Sequence, residues 1–333
     1  MKNILTPLLF LAALLGLSAC VDQEEYDDSP TGNFDALWHI IDEHYCFFQE
    51  KQVDWQAIYQ KYRVRVDNRM TDGQLFEVMS DMLSELRDGH VNLARSADFA
   101  RYWAFYENHP ANFSDTLQRR YLGTDYRIAA GLRYRILDDN VGYIYYESFA
   151  DAIGESGIDN VLSHMMLCHG LIIDVRNNSG GILTNAELFA GRFVQAPTLV
   201  GYMQHKTGPG HDDFSALSEQ RFEPSSRLRW HKPVVVLTNR RVYSAANEFV
   251  KYMHQLPNVT LVGDQTGGGA GMPFSASLPN GWAVRFSACP MFDAKGRSTE
   301  SGIQPDIRVD QTDDDFLQGH DTLIETARKL LAR

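Results

Sequence analysis

Three short apolar runs constrain the fold of this 333-residue chain more than any other feature: GLIIDVRN at 170–177, KPVVVLTN at 232–239 and VTLVGD at 259–264. Each is too short for a helix, is dense in β-branched residues and ends in Asn, Asp or Gly. That pattern reads as a strand buried on both faces. Between the runs lie GILTNAELFAGRFV (181–194) and SAANEFVKYMHQL (244–256), whose apolar residues recur at helical spacing. Strands alternating with helices imply parallel pairing through crossover connections, hence an α/β core. YRIAAGLRYRIL (126–137) and NVGYIYYESF (140–149) add strands ahead of it. FSASLPNGWAVRFSAC predicts a hairpin turning at Asn280-Gly281, and DTLIETARKLLAR predicts a closing helix.

Residues 33–95 have a different character. FDALWHIIDEHYCFF carries Phe34, Leu37, Ile40 and Ile41 on one stripe, and TDGQLFEVMSDMLSELRDGH repeats the pattern behind a Thr71 cap. A helical subdomain of about three helices is expected there. Residues 96–125 have no clear period and read as a linker, so the α/β core is expected over 126–333.

At the N-terminus, MKNILTPLLFLAALLGLSAC places Lys2 before an apolar run from Ile4 to Ala19. That is shorter than the ~20 residues a spanning helix needs and suits a signal-peptide core. Leu17-Ser18-Ala19-Cys20 resembles a bacterial lipobox, which makes Cys20 the expected lipidated residue after removal of 1–19. The acidic stretch that follows, to residue 32, reads as a disordered tether. A cell-envelope location is therefore expected, with the chain anchored in a membrane, and the tether composition favours the outer one. With a net charge of −12 and no basic block, nucleic-acid binding is not expected. Cys46, Cys168 and Cys289 have neither disulfide-framework nor zinc spacing. The His39/His44 and His164/His169 pairs are five apart, off the three-or-four spacing of one helix face, and no metal site is expected. GDQTGGGAG at 263–271 lacks the lysine of a phosphate loop, so no cofactor is expected either.

Four segments could carry chemistry. Ser244 stands where a strand ends and a helix begins; there it could cap the helix or project Oγ as a nucleophile beside the Ala245 N–H. DVRNNSGG at 174–181 ends in paired glycines, and Gly180 or Gly181 could bring a backbone N–H close to a ligand. LRDGHVNL at 86–93 presents His90, a base able to work near neutral pH. DAKGRSTESGIQPDI at 293–307 presents Glu300, a carboxylate able to orient a histidine or simply a solvated loop residue.

Taken in order, these segments with FDALWHIIDEHY, VGYIYYESF, LVGDQTGGG and LPNGW resemble the tail-specific, or C-terminal processing, peptidases. Their relatives, the tricorn core protease and the chlamydial protease-like activity factor, are included in the resemblance, which covers nearly the whole chain after residue 33. It implies a crotonase/ClpP-like β-α core behind an N-terminal helical subdomain, and hydrolysis of peptide bonds in a protein or peptide substrate. Ser244 matches the nucleophile. In the tail-specific branch a lysine after the next Thr-Gly is the base, but QTGGGAGMPF has glycine there. Lys251 is two helical turns from Ser244, roughly 10 Å along the axis, and is a poor substitute. The branch using serine, histidine and glutamate fits better. By that resemblance His90 is the base, Glu300 the orienting acid, and Ala245 with Gly180 or Gly181 the oxyanion hole. The stretch between VNLARS and YRIAAGL is too short for the PDZ domain of many relatives. The alternative is a non-catalytic envelope lipoprotein of the same fold, or one holding an apolar ligand as the related retinoid-binding repeats do.

Overall fold

The computed structural model describes residues 26–332. The signal peptide and Cys20 lie outside the described residues. The tether expected to reach residue 32 gives way earlier, because Ser29 accepts from the Gly32 N–H and caps a helix whose first residue is Pro30.

Three helices come first: α1 (Pro30–His44), α2 (Trp55–Arg63) and α3 (Asp72–Ser84). Thr71 and Gln74 form a reciprocal capping box on α3. The apolar stripes of these helices close over Phe34, Leu37, Ile41, Met79 and Met82. The chain then makes β1 (Asn92–Arg95), β2 (Asp98–Arg101), a 3₁₀ turn at 104–106 and α4 (Asp115–Leu122).

The core continues with β3 (Arg127–Ala129), β4 (Leu132–Ile136), β5 (Gly142–Tyr145), α5 (Glu155–Met165), β6 (Leu171–Asp174), α6 (Leu183–Ala190), β7 (Thr198–Met203), β8 (Ser218–Phe222), β9 (Val234–Thr238), α7 (Ala245–His254) and β10 (Val259–Gly263). It closes with the hairpin β11 (Gly271–Ser277) and β12 (Ala283–Phe292), then β13 (Ile307–Arg308), α8 (Asp313–Gln318) and α9 (Thr322–Leu331). The hairpin turns at Gly281, where φ is 80°, as the Asn-Gly pair predicts.

One sheet has the order β13-β10-β9-β6-β5-β4-β3, with β5, β6, β9, β10 and β13 parallel. Spatial order follows chain order without reversal, and the crossover helices α5, α6 and α7 pack on the same face, as right-handed connections require. Alternation decides which residue goes where: Ile173 and Val236 pack under those helices, while Ile172 and Val235 face α9. The second sheet, β2-β1-β12-β7-β8 with β11 on β12, joins the helical subdomain to the core. Leu93 of β1 pairs with Val284 of β12, and Phe286 packs among the first helices. The result is the mixed α/β architecture expected, with one difference. The strand following His90 belongs to a sheet shared with the core, so the helical subdomain does not stand apart from it.

Candidate active site

Adjacent parallel strands bring two of the four segments together. β6 and β9 pair with Asp174 opposite Leu237, so the loops leaving their carboxyl ends emerge side by side. The loops are tied to each other: the Asn177 N–H donates to Asn239 Oδ1 at 3.0 Å, Asn239 Nδ2 to Asn177 Oδ1 at 2.8 Å, and the Tyr243 N–H to the Asn178 carbonyl at 3.1 Å. Below them Arg176, fully buried, is held by Asp174 at 2.6 Å and Asp321 at 2.9 Å. Binding sites at the carboxyl ends of parallel strands are the rule in such sheets.

Ser244 is at the N-cap of α7, but its side chain makes no capping bond. Its backbone is held at φ 57°, ψ −128°, a left-handed conformation that costs a non-glycine residue about 1–3 kcal/mol. The neighbours that enforce it are the Gly268 carbonyl, which accepts from the Ser244 N–H at 2.9 Å, and the Glu248 N–H, which donates to the Ser244 carbonyl at 3.0 Å. The turn aims Oγ at His90, whose Nε2 lies 2.8 Å away. Ser244 thus occupies the N-cap position while its hydroxyl, instead of capping the helix, is presented to an imidazole from a strained backbone.

His90 reaches this position through the turn Arg87-Asp88-Gly89. Arg87 has φ 48°, and a Cβ on Gly89 would lie 2.9 Å from the Tyr243 hydroxyl, so only glycine lets the turn pass beneath that ring. Asp88, buried to 1 % exposure, accepts four hydrogen bonds. The donors are the His90 N–H at 2.7 Å, the Ser287 hydroxyl at 2.8 Å, the Tyr45 hydroxyl at 3.1 Å and the Tyr243 hydroxyl at 3.3 Å. The His90 ring packs on Tyr243 with centroids 5.0 Å apart. Burial pushes its pKa down to about 4, against the upward pull of Asp88. The imidazole is therefore neutral at physiological pH and free to accept a proton.

Glu300 departs from expectation. Its Oε1 is 2.8 Å from Lys51 Nζ and its Oε2 accepts from the Ala270 N–H at 2.8 Å. His90 Nδ1 is buried with no hydrogen-bond partner. The direct glutamate–histidine bond implied by the resemblance is thus not formed; the Glu300 carboxylate is oriented by Lys51 and the Ala270 N–H instead. Burial and the neighbouring Asp88 charge push Glu300 up to about 8, opposed by Lys51.

The glycine pair lies against the nucleophile. A Cβ on Gly180, at φ 99°, would fall 2.8 Å from Ser244 Cβ and 2.9 Å from the Ala245 nitrogen. The Gly180 N–H is already given to Asn178 Oδ1 at 2.9 Å, whereas the Gly181 N–H has no such acceptor among the described residues. Ala245 N–H opens α7, where helix N–H groups lack intrahelical partners.

The two lysine questions are answered by packing. A Cβ on Gly268 would sit 1.8 Å from the Glu300 carbonyl oxygen, and one on Gly269 would sit 2.4 Å from the Tyr243 ring, so neither position has room for a side chain. Lys251 points away from Ser244, buried between Glu248 and Gln220 Oε1, the latter at 3.0 Å. Sequence reasoning passed over Asp88, Lys51 and Tyr243. Asp88, two residues before His90, left a local signal in the Asp-Gly turn; Lys51 left none.

Residues 140–309 match the model of Peptidase family S41, and residues 26–84 match the Tricorn protease C1 domain. The first match spans half the chain. The chain belongs to peptidase family S41. The crystal structure of a candidate peptidase from Parabacteroides merdae ATCC 43184 is similar to this S41 chain at 50% identity and TM-score 0.87, covering 92% of this chain and 97% of that one. The carboxy-terminal processing protease CtpA of Bacillus subtilis (strain 168) is 25% identical over 178 residues, 53% of this chain. The match spans only 36% of CtpA, about a third of its length. Mature CPAF shares the fold at TM-score 0.68 and 13% identity, with 91% of this chain and 96% of CPAF covered.

Proposed function

We propose that this S41 chain is a serine endopeptidase that works through Ser244 and His90. The observation that carries the reading is the 2.8 Å contact between His90 Nε2 and the Oγ of a serine held in a strained turn. In the proposed reaction Ser244 Oγ attacks a peptide carbonyl while His90 Nε2 takes its proton. Collapse of the tetrahedral intermediate expels the amine, which receives that proton. The oxyanion is bound by the Ala245 N–H and by the Gly181 N–H, the member of the glycine pair not committed to Asn178. Of the expected triad, Glu300 makes no direct bond to His90; Asp88, which was not in that triad, supplies a fixed buried charge beside the histidine. Water then repeats the sequence on the acyl-enzyme.

The experiment is fluorophosphonate labelling of the full chain, wild type against Ser244→Ala. Labelling of the wild type alone supports the reading; equal labelling of both, or of neither, sinks it.

A location in the cell envelope, with Cys20 lipidated, belongs to the same proposal and is supported by the Leu17-Ser18-Ala19-Cys20 segment. Incorporation of labelled fatty acid by the wild type and not by Cys20→Ala is the expected result. Incorporation by neither would remove the anchor from the proposal.

A further inference from the structure

We propose that Lys51, supplied by the helical subdomain, is a positioning residue for the chemistry of Ser244 and acts through Glu300. The inference rests on the Ser244–His90 reading above.

Lys51 follows α1 in a turn closed by its own N–H to the Phe47 carbonyl at 3.0 Å. Its ammonium is committed twice: to Glu300 Oε1 at 2.8 Å and to the Arg87 carbonyl at 3.0 Å. Arg87 Nη2 returns a bond to the Lys51 carbonyl at 2.8 Å. One side chain thus ties the helical subdomain both to the strained residue three positions before His90 and to the carboxylate implied as its partner. The ion pair is sheltered, with the Lys51 and Glu300 side chains 15 % and 3 % exposed.

Charge explains why the site requires that cation. Asp88 and Glu300 are two buried carboxylates near one neutral histidine, and two like charges in a poorly solvated site cannot both ionise unaided. Burial first and then Asp88 push Glu300 up, while Lys51 pulls it down. Lys51 is in turn held charged by Glu300 and Asp88 against its own burial. Besides Asp88, the charged groups acting on His90 are Arg285 of β12, Arg101 of β2 and Lys51 itself, all of which disfavour an imidazolium, so the help proposed for Lys51 comes through Glu300 and has to outweigh its own charge. Tyr45 and Tyr243 are neutral and face Asp88. When the Ser244 proton arrives on His90, Asp88 favours the new positive charge, and in this proposal ionisation of Glu300 favours it further. Lys51 opposes the rise in the Glu300 pKa, lowers the cost of ionising Glu300, and fixes where its carboxyl group sits.

The test measures the rate of Ser244 phosphonylation by a fluorophosphonate across pH for wild type, Lys51→Met, Lys51→Arg, Glu300→Gln and the Lys51→Met/Glu300→Gln double variant, with thermal melts of each. Loss of the ammonium should slow the limiting labelling rate at least about tenfold, leave probe affinity unchanged and move the acidic limb to higher pH. Lys51→Arg should restore the limb, and Lys51→Met should add nothing once Glu300 is already Gln. A Lys51→Met protein that labels like wild type overturns the inference. A slowdown of the same size in the Glu300→Gln background, with an unmoved limb, also overturns it, because Lys51 would then serve folding alone. The inference fails by itself if either result accompanies normal Ser244-dependent labelling of the wild type. If the wild type does not label at Ser244, the underlying reading fails and takes the inference with it.

Discussion

Replacing Asp88 by Asn tests where the negative charge that supports His90 resides. The substitution keeps shape and removes charge. Oδ1 accepts from the His90 N–H at 2.7 Å, a donor that cannot turn round, whereas Oδ2 accepts from the hydroxyls of Ser287 at 2.8 Å and Tyr45 at 3.1 Å. Both hydroxyls can rotate to accept, so the new NH₂ should take the Oδ2 side and the turn should survive. Four charge-assisted bonds become neutral ones, a loss of about 1 kcal/mol each. Relief of the cost of burying a carboxylate offsets part of that, leaving a net destabilisation of about 1–3 kcal/mol. The reaction should suffer more in proportion. Asp88 is the group that raises the pKa of His90, so its loss makes the imidazolium harder to form. A drop of about 100-fold in phosphonylation rate, or ~2.7 kcal/mol, is expected, less than for a carboxylate bonded directly to the catalytic ring. The acidic limb should move to lower pH, opposite to the shift expected for Lys51→Met. A folded Asp88→Asn protein that labels within about threefold of wild type would refute the assignment, since an effect that small is worth under 1 kcal/mol.

Two further outcomes follow from packing. The His90 pKa is depressed from 6.5 to about 4, so the unfolded state binds more protons between those values and stability should fall on acidification from pH 6.5 to 4. That component amounts to roughly 3 kcal/mol. Glu300, raised to about 8, has the opposite slope, its share of stability being lost as pH rises from 4.5 to 8. Denaturant titrations of wild type and His90→Asn should therefore diverge below pH 6.5, and parallel curves would contradict burial of a neutral imidazole. Gly180→Ala should cost roughly 1–2 kcal/mol from its left-handed φ of 99° and should cut labelling about 100-fold, because the new methyl crowds Ser244 Cβ and the Ala245 nitrogen. Wild-type labelling by that variant would place the oxyanion site elsewhere.

What the chain reveals about itself divides along sequence separation. The buried strands, the crossover helices and the Asn280-Gly281 hairpin are written in local periodicity and turn chemistry, and they form where that chemistry directs. Ser244 and His90 are 154 residues apart, and only the resemblance to a family joined them; the fold then supplies the 2.8 Å contact. The role of Glu300 was harder to read because it depends on competition. A glutamate before Gly-Ile-x-Pro-Asp carries no local sign that a lysine 249 residues earlier, in a turn of the helical subdomain, will take one of its oxygens. Nor does the pattern show that the Ala270 N–H will take the other.

The same competition explains why three glycines at 267–269 carry so much information. They read first as the absence of a base, since a lysine is expected there in the tail-specific branch. Their geometry gives a stronger reason: Cβ atoms at 268 and 269 would strike the Glu300 carbonyl and the Tyr243 ring, the latter packed on His90. A lysine at either position and this histidine-centred packing exclude each other on steric grounds. The choice of base is thus a property of the loop's backbone, and moving a lysine into the loop should collapse the histidine site without creating a lysine one. Gly268→Lys should therefore neither label with fluorophosphonate nor recover activity when combined with His90→Ala. Labelling of that double variant would show that a lysine in this loop can serve as the base, and the steric account would fail.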